Sequence, residues 1–238
     1  MNSCKNCNEP IIGNYCSNCG RPAKLKRIDG HYIIREIADV FNADRGFFYT
    51  VKRMLINPGD SVRYYITEDR SRYVKPVTFV ILTSLIYTLV NHFFPIGIED
   101  WVKQVDEMDI AILIVEWTQK NSGYTTLFIG FFMAFGVKLF FRKAGYNLFE
   151  IFILLCYVFG MTSLFESVAA IIQAVTRVNL LTALFIFDPI YIAWAVGQFF
   201  DRKKATSYIK ALLSYAFGFC MLTLIMAFVV VIYMIIKQ

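Results

Sequence analysis

The sequence predicts an all-α polytopic membrane protein of about five transmembrane helices, preceded by a cysteine-rich N-terminal knuckle and cytoplasmic amphipathic helices. Three observations predict it. Of 238 residues, 57% are hydrophobic and 18% charged, against about 45–50% and about 25% in an ordinary soluble domain. The apolar excess falls in long runs after residue 75. Four cysteines, Cys4, Cys7, Cys16 and Cys19, crowd the N-terminus. Together these exclude disorder, a collagen or coiled-coil rod and a small disulfide scaffold.

The knuckle comes first. The opening 25 or so residues place Cys, Asn and Lys where a secretory leader needs an apolar run, so the N-terminus is expected in the reducing cytosol. There, clustered thiols read as metal ligands rather than disulfides. Two CxxC pairs, each able to offer two thiolates from one tight turn, match the four tetrahedral ligands of one structural zinc ion. Gly20 after the second pair accepts a left-handed backbone freely, and Asn8 after the first is the next best residue. Residues 9–15 are expected to form a short hairpin bending at Pro10 and Gly13-Asn14. A thioredoxin-like redox pair is the rival reading, but no βαβ unit surrounds it. Four sulfurs leave no open coordination position, and residues 1–22, the zinc ribbon, are too few to build a core, so the metal supplies the folding energy.

Residues 23–75 form a basic linker and interfacial helices. Ile33, Ile34, Ile37, Val40 and Phe41 recur at helical spacing, as do Phe47, Phe48, Val51, Met54 and Leu55. Asn57-Pro58-Gly59 breaks the pattern, and Asp60 or Ser61 is expected to cap a further short helix through Tyr65. On these amphipathic helices Lys52, Arg53, Arg63, Arg70, Arg72 and Lys75 are candidate contacts to lipid headgroups. The positive-inside effect explains such cations without any ligand; a specific anionic-lipid or partner site is the sharper alternative.

Residues 76–238 form the transmembrane domain, with spans near 76–94, 124–141, 148–175, 180–200 and 211–236, each near the ~20 apolar residues that cross a bilayer. Pro76 is tolerated in a first turn, and Lys138 can snorkel from the end of span two. The loop over residues 95–123 is acidic and belongs outside. Arg142 and Lys143, and later Arg202, Lys203, Lys204 and Lys210, mark inner loops. This puts the N-terminus in the cytoplasm and the C-terminus outside. Trp101, Val105, Met108, Ile112 and Val115 make a helical stripe expected to lie on the outer leaflet. The net charge of +6 is thereby explained by orientation, and no nucleic-acid partner is expected.

Ionisable groups inside a span are candidate functional sites. Glu150 and Glu166 are 16 residues apart on span three, about 24 Å along the axis and on nearly opposite faces. Each is expected at an interface or beside a cation, with Lys138, Arg142 or Lys143 near Glu150. Asp188-Pro189 falls mid-span. It reads either as a kink, with Asp188 capping a second half-helix, or as a broken helix whose ends bind an ion or polar substrate. Gln173, Gln198, Asn91 and His92 are candidates for interhelical hydrogen bonds. Cys156 and Cys220 read as small core residues. No nucleophile–base set, phosphate-binding glycine loop or HExxH motif is visible, so no catalytic residue and no enzyme activity is expected.

The CxxC…CxxCG knuckle, then Arg45-Gly46-Phe47, Thr50-Val51, Asn57-Pro58-Gly59, Arg63, Tyr65-Ile66, Arg70, Arg72-Tyr73 and Pro76, then Tyr146-Asn147 with Glu150, form a pattern. It resembles a bacterial zinc-ribbon membrane family of unassigned function, domain-of-unknown-function family 3667. The resemblance implies the inner (cytoplasmic) membrane and no activity; the five-span plan is also similar to Yip-type trafficking proteins. The reading that follows is a non-enzymatic membrane adaptor or regulator whose cytosolic zinc ribbon docks a protein partner. A transporter or channel for a small solute, ion or lipid, using Asp188 with Glu150 or Glu166, is the alternative. A lipid-directed enzyme ranks behind both.

Overall fold

The computed structural model describes residues 3, 4, 6, 7, 9, 10, 13–22, 30, 46–94, 122–176, 178 and 180–237. The helix expected over residues 33–41, the outer stripe over residues 101–115 and Asn8 lie outside them. In chain order the described helices are α1 (Phe47–Ile56), α2 (Pro58–Thr67), α3 (Pro76–Phe93), α4 (Ser122–Phe140), α5 (Leu148–Thr176), α6 (Leu181–Asp201) and α7 (Ala205–Lys237). A 3-10 turn, Arg142–Ala144, joins α4 to α5.

Helix α1 starts at Gly46, whose φ of 87° suits glycine alone, and a Cβ there would meet the Arg72 carbonyl oxygen at 2.5 Å. Thr50 and Met54, one turn apart, form its buried face. Thr50 Oγ1 accepts from the Val74 amide at 3.0 Å and donates to the Gly46 carbonyl, fastening α1 to the chain entering α3. Helix α2 begins with Pro58 at its first position after Asn57, three to four residues earlier than a cap at Asp60 or Ser61 would place it. Ser61 instead donates to the Arg53 carbonyl at 3.3 Å.

The centre of the fold is α5, flanked by α3, α4 and α6. Glycine lets its neighbours approach: a Cβ on Gly160 would lie 2.6 Å from the Phe79 ring. Tyr157 reaches the Val74 carbonyl at 2.6 Å. Around it Tyr65, Tyr73 and Phe79 pack with ring centroids 5.6–6.4 Å apart, each such pair adding about 0.5–1.5 kcal/mol beyond area burial. Cys156 is buried in this core, whereas Cys220 faces outward. Leu89, Phe128, Phe131, Phe135, Ile172, Phe219 and Phe228 are exposed around the bundle, as a lipid-facing surface requires.

The span count differs from the expected five. Among the described residues three helices are long and apolar enough to cross a membrane: Pro76–Phe93, Leu148–Thr176 and Ala205–Val229. Helix α4 is counted over Thr125–Phe140 as a shorter apolar helix. Helix α6 carries Asp188, Gln198 and Asp201, and its buried face (Tyr191, Ile192, Ala195, Val196, Phe199) is protein core. Burial is not the reason, since α5, the most buried of the three, is among them; Asp188 and Asp201 interrupt the apolar run of α6.

Helix α6 also runs unbroken through Pro189, so Asp188 does not begin a second half-helix.

Candidate functional site

Each CxxC pair closes on itself. An antiparallel bridge joins Ser3 to Pro10 around the first, and another joins Tyr15 to Pro22 around the second. The Cys4 amide donates to the Glu9 carbonyl at 2.8 Å, and the Cys16 amide to the Arg21 carbonyl at 2.7 Å. The two loops are thus copies of one turn; of the hairpin expected over residues 9–15, Gly13-Asn14 bend and Pro10 pairs with Ser3, while residues 11 and 12 lie outside the described ones. Gly20 takes the expected left-handed conformation, φ 70°.

The loops bring four sulfurs together. Cys4 and Cys19 Sγ are 3.5 Å apart, Cys7 and Cys16 3.4 Å, Cys7 and Cys19 3.6 Å, and all four lie within 4.8 Å of one another. A tetrahedron with metal–sulfur bonds of about 2.3 Å has edges of about 3.8 Å, so the set is placed to hold one metal ion, and none of the four is in a disulfide.

Local backbone dipoles point the same way. The Asn6 and then the Cys7 amide hold the Cys4 thiol down to about 6. The Cys19 amide lowers Cys16, assisted by that of Asn18. At Cys7 the Glu9 amide also favours the thiolate, but burial and the surrounding sulfurs outweigh it and push the thiol up to about 12. Four thiolates this close repel one another unless a cation sits among them, which is the chemistry of a metal site.

The ribbon is seated on the helices. Arg21 pairs with Asp69 at 2.9 Å and donates to Ser71 Oγ at 3.3 Å, both in the turn between α2 and α3.

A second constellation lies where α2 meets the end of α6. The Gly59 amide donates to Gln198 Oε1 at 2.8 Å, and Gln198 Nε2 faces Asn57 Oδ1 at 3.4 Å. A Cβ on Gly59 would sit 2.2 Å from the Phe199 nitrogen. Arg63 donates to the Gln198 carbonyl at 2.7 Å and to that of Phe199, meeting the carbonyls that a helix C-terminus leaves open. Tyr191 reaches the Met54 carbonyl at 3.1 Å. This explains the spacing of Asn57-Pro58-Gly59 and Arg63: proline starts the helix, glycine admits the other backbone, and arginine one turn on caps it.

Residues 44–88 match the family described as "Protein of unknown function (DUF3667)". The DUF3667 segment contains α1, α2 and most of α3, and the resemblance read from the sequence holds over it. No curated protein matches the chain, and no solved structure does. What the DUF3667 residues build is a platform: a helix pair, each with one face buried, that carries the ribbon through Asp69 and Ser71 and grips α6 through Gly59 and Arg63.

The remaining candidates are dispersed. Of the cations in the DUF3667 segment, Arg63 caps α6, Arg70 lies over the Tyr65 ring at 5.9 Å, and Arg53 is drawn toward Tyr73. Lys52, Arg72 and Lys75 are exposed. Glu150 forms a reciprocal capping box with Asn147: the Asn147 amide donates to Glu150 Oε2 at 2.7 Å and the Glu150 amide to Asn147 Oδ1 at 2.8 Å. Lys138 turns to the Tyr146 carbonyl at 2.5 Å. Glu166 on α5, Asp188 on α6 and Tyr215 on α7 lie within electrostatic reach of one another inside the bundle; Glu150 lies apart from them. Gln173 accepts from the Leu180 amide at 3.2 Å, within the turn between α5 and α6. The close approach at Gly59 escaped the sequence reading; the signal was glycine one residue inside a helix start, where nothing local requires it.

Proposed function

We propose that the chain is a membrane adaptor or regulator without enzymatic activity, whose cytosolic ribbon holds one structural zinc ion and docks a protein partner. The observation that carries this reading is the closed four-sulfur set seated on the DUF3667 platform: it uses every tetrahedral position, leaving none for a substrate. Tetrahedral sulfur ligation suits zinc. Arg142, Lys143, Arg202, Lys203, Lys204 and Lys210 share one end of the bundle with the platform, and the positive-inside effect favours that end in the cytoplasm of a bacterial inner membrane. Helix α7 starts there and runs away from it, which favours an external C-terminus.

The test uses the full chain with a serine pair, Cys4→Ser with Cys7→Ser. The intact protein is expected to contain one zinc and to retain a partner through purification in mild detergent. The variant is expected to lose both while the bundle melts at the same temperature. Undiminished partner retention by the variant sinks the reading. Alkaline phosphatase fused after Glu107 should be active and fused after Lys143 inactive; the reverse pattern overturns the orientation.

One observation favours the transporter alternative. Asp188 Oδ1 is buried without a hydrogen-bond partner among the described residues, and Glu166 and Tyr215 lie near it. Ion or solute flux in proteoliposomes that Asp188→Ala abolishes would promote that reading over the adaptor.

A further inference from the structure

The 3-10 turn after α4 and the turn between α6 and α7 enclose a groove of about 660 Å³ at the platform end of the bundle. Its floor is aromatic: Phe141 and Phe200 stack with centroids 3.9 Å apart and planes 12° from parallel. Its rim is cationic, with Arg142 and Lys143 from one turn, Lys204 from the other and Lys210 from the first turns of α7. Asp201, the one acid in the lining, is paired with Lys204 at 2.8 Å. Three positive charges are therefore in excess.

Both walls are fixed by local bonds. On one side the Ala144 amide donates to the Phe141 carbonyl at 2.9 Å, and Gly145 takes a left-handed turn, φ 78°. On the other, the Lys203 amide donates to Asp201 Oδ1 at 3.0 Å and the Tyr208 hydroxyl to the Arg202 carbonyl at 3.0 Å. Lys210 lies over the Phe141 ring at 5.7 Å, which holds its ammonium at the rim. Next to these charges the surface turns apolar at once: Leu139, Ile209, Leu212 and Leu213 are all exposed.

We propose that this groove binds the headgroup of an anionic phospholipid. Its phosphate would meet Arg142, Lys143 and Lys210, and its acyl chains would run along Leu139, Ile209, Leu212 and Leu213. A soluble phosphate ester shares the headgroup chemistry but makes no use of the adjoining apolar strip. The proposal rests on the reading of this end as a membrane surface, and not on the adaptor role of the ribbon.

The test titrates the detergent-purified full chain with three probes: phosphatidylglycerol, phosphatidylcholine of the same chains, and glycerol phosphate. Phosphatidylglycerol is expected to bind in preference to both others. Since each surface cation is worth about a factor of five in lipid affinity, R142Q with K210Q should weaken it on the order of 30-fold. K143Q with K210Q should give a comparable loss, which guards against misfolding of one variant. K52Q with R72Q, exposed cations of the DUF3667 segment that do not line the groove, should weaken it less than either groove pair.

Equal binding of phosphatidylcholine overturns the proposal. So does glycerol phosphate binding as tightly as the lipid, or an equal loss in the K52Q and R72Q variant. Failure of the membrane reading is seen separately, as extraction of the chain from vesicles by alkaline carbonate. Failure of the adaptor reading leaves lipid binding intact in the Cys4→Ser, Cys7→Ser variant.

Discussion

The ribbon and the DUF3667 platform lie against each other and are built on opposite principles. Among its described residues the ribbon buries only Cys4 and Cys16, and its order comes from two short bridges and four converging sulfurs. The platform buries Met54, Val62, Tyr65 and Ile66 together with Tyr73 and Val74, and its polar atoms are spent on another helix's backbone. Twenty-odd residues lack the apolar area to offset chain entropy, and the proposed metal would substitute for a core. The platform has a core, and its geometry is limited by how closely two backbones approach.

The comparison breaks most visibly at a sulfur. Cys16→Ser removes one of four ligands from a site of a kind whose metal binding supplies about 10–16 kcal/mol. Zinc content should fall from one per chain to near zero, with the ribbon newly cut by protease, while the melting temperature of the bundle moves little. A joint collapse of both regions would show that they are not separately held. Gly59→Val should do the opposite, destabilising the bundle by about 3 kcal/mol through overpacking against Phe199 and leaving the zinc in place. Thermal unfolding and metal analysis on the same sample read both outcomes.

Arg63→Met keeps the volume and removes the donors to Gln198 and Phe199. A loss of about 2 kcal/mol is expected, with hydrogen exchange quickening at the end of α6 before it does elsewhere. The smallest effect concerns Tyr73. Burial raises its hydroxyl above 10.0, against the opposing pull of Arg53 and Ser61. The neutral phenol is therefore the favoured form in the folded state. Its contribution is complete below pH 10 and is lost as pH rises through the higher folded value. Phenolate absorbance should show a late alkaline step that disappears in Tyr73→Phe, with stability at neutral pH almost unchanged; a step at the ordinary tyrosine value would contradict the burial.

The parts legible in the sequence are those decided by neighbours in sequence. The CxxC spacing and Gly20 announce the sulfur cluster. Pro76 marks a helix start, Asn57 ends α1, and residues 148–175 delimit α5 to within one residue. The parts that were not legible depend on distant partners. Arg63 among apolar residues looks the same whether it faces headgroups or the carbonyls of a helix end more than a hundred residues on. Asp188-Pro189 suggests a break, yet tertiary packing around Tyr191 carries the helix through.

The bond from Gly59 to Gln198 spans 139 residues. At roughly 5–20 residues per second of synthesis, about 7–28 s pass between the appearance of one partner and the other. Throughout that interval the Gly59 amide and the Arg63 guanidinium have emerged but their acceptors do not exist. The DUF3667 segment is therefore among the first helical parts of the chain to be made and among the last to be finished. A chain arrested before α6 would present Asn57, Gly59 and Arg63 as an open socket, and its filling would register that the end of α6 had arrived.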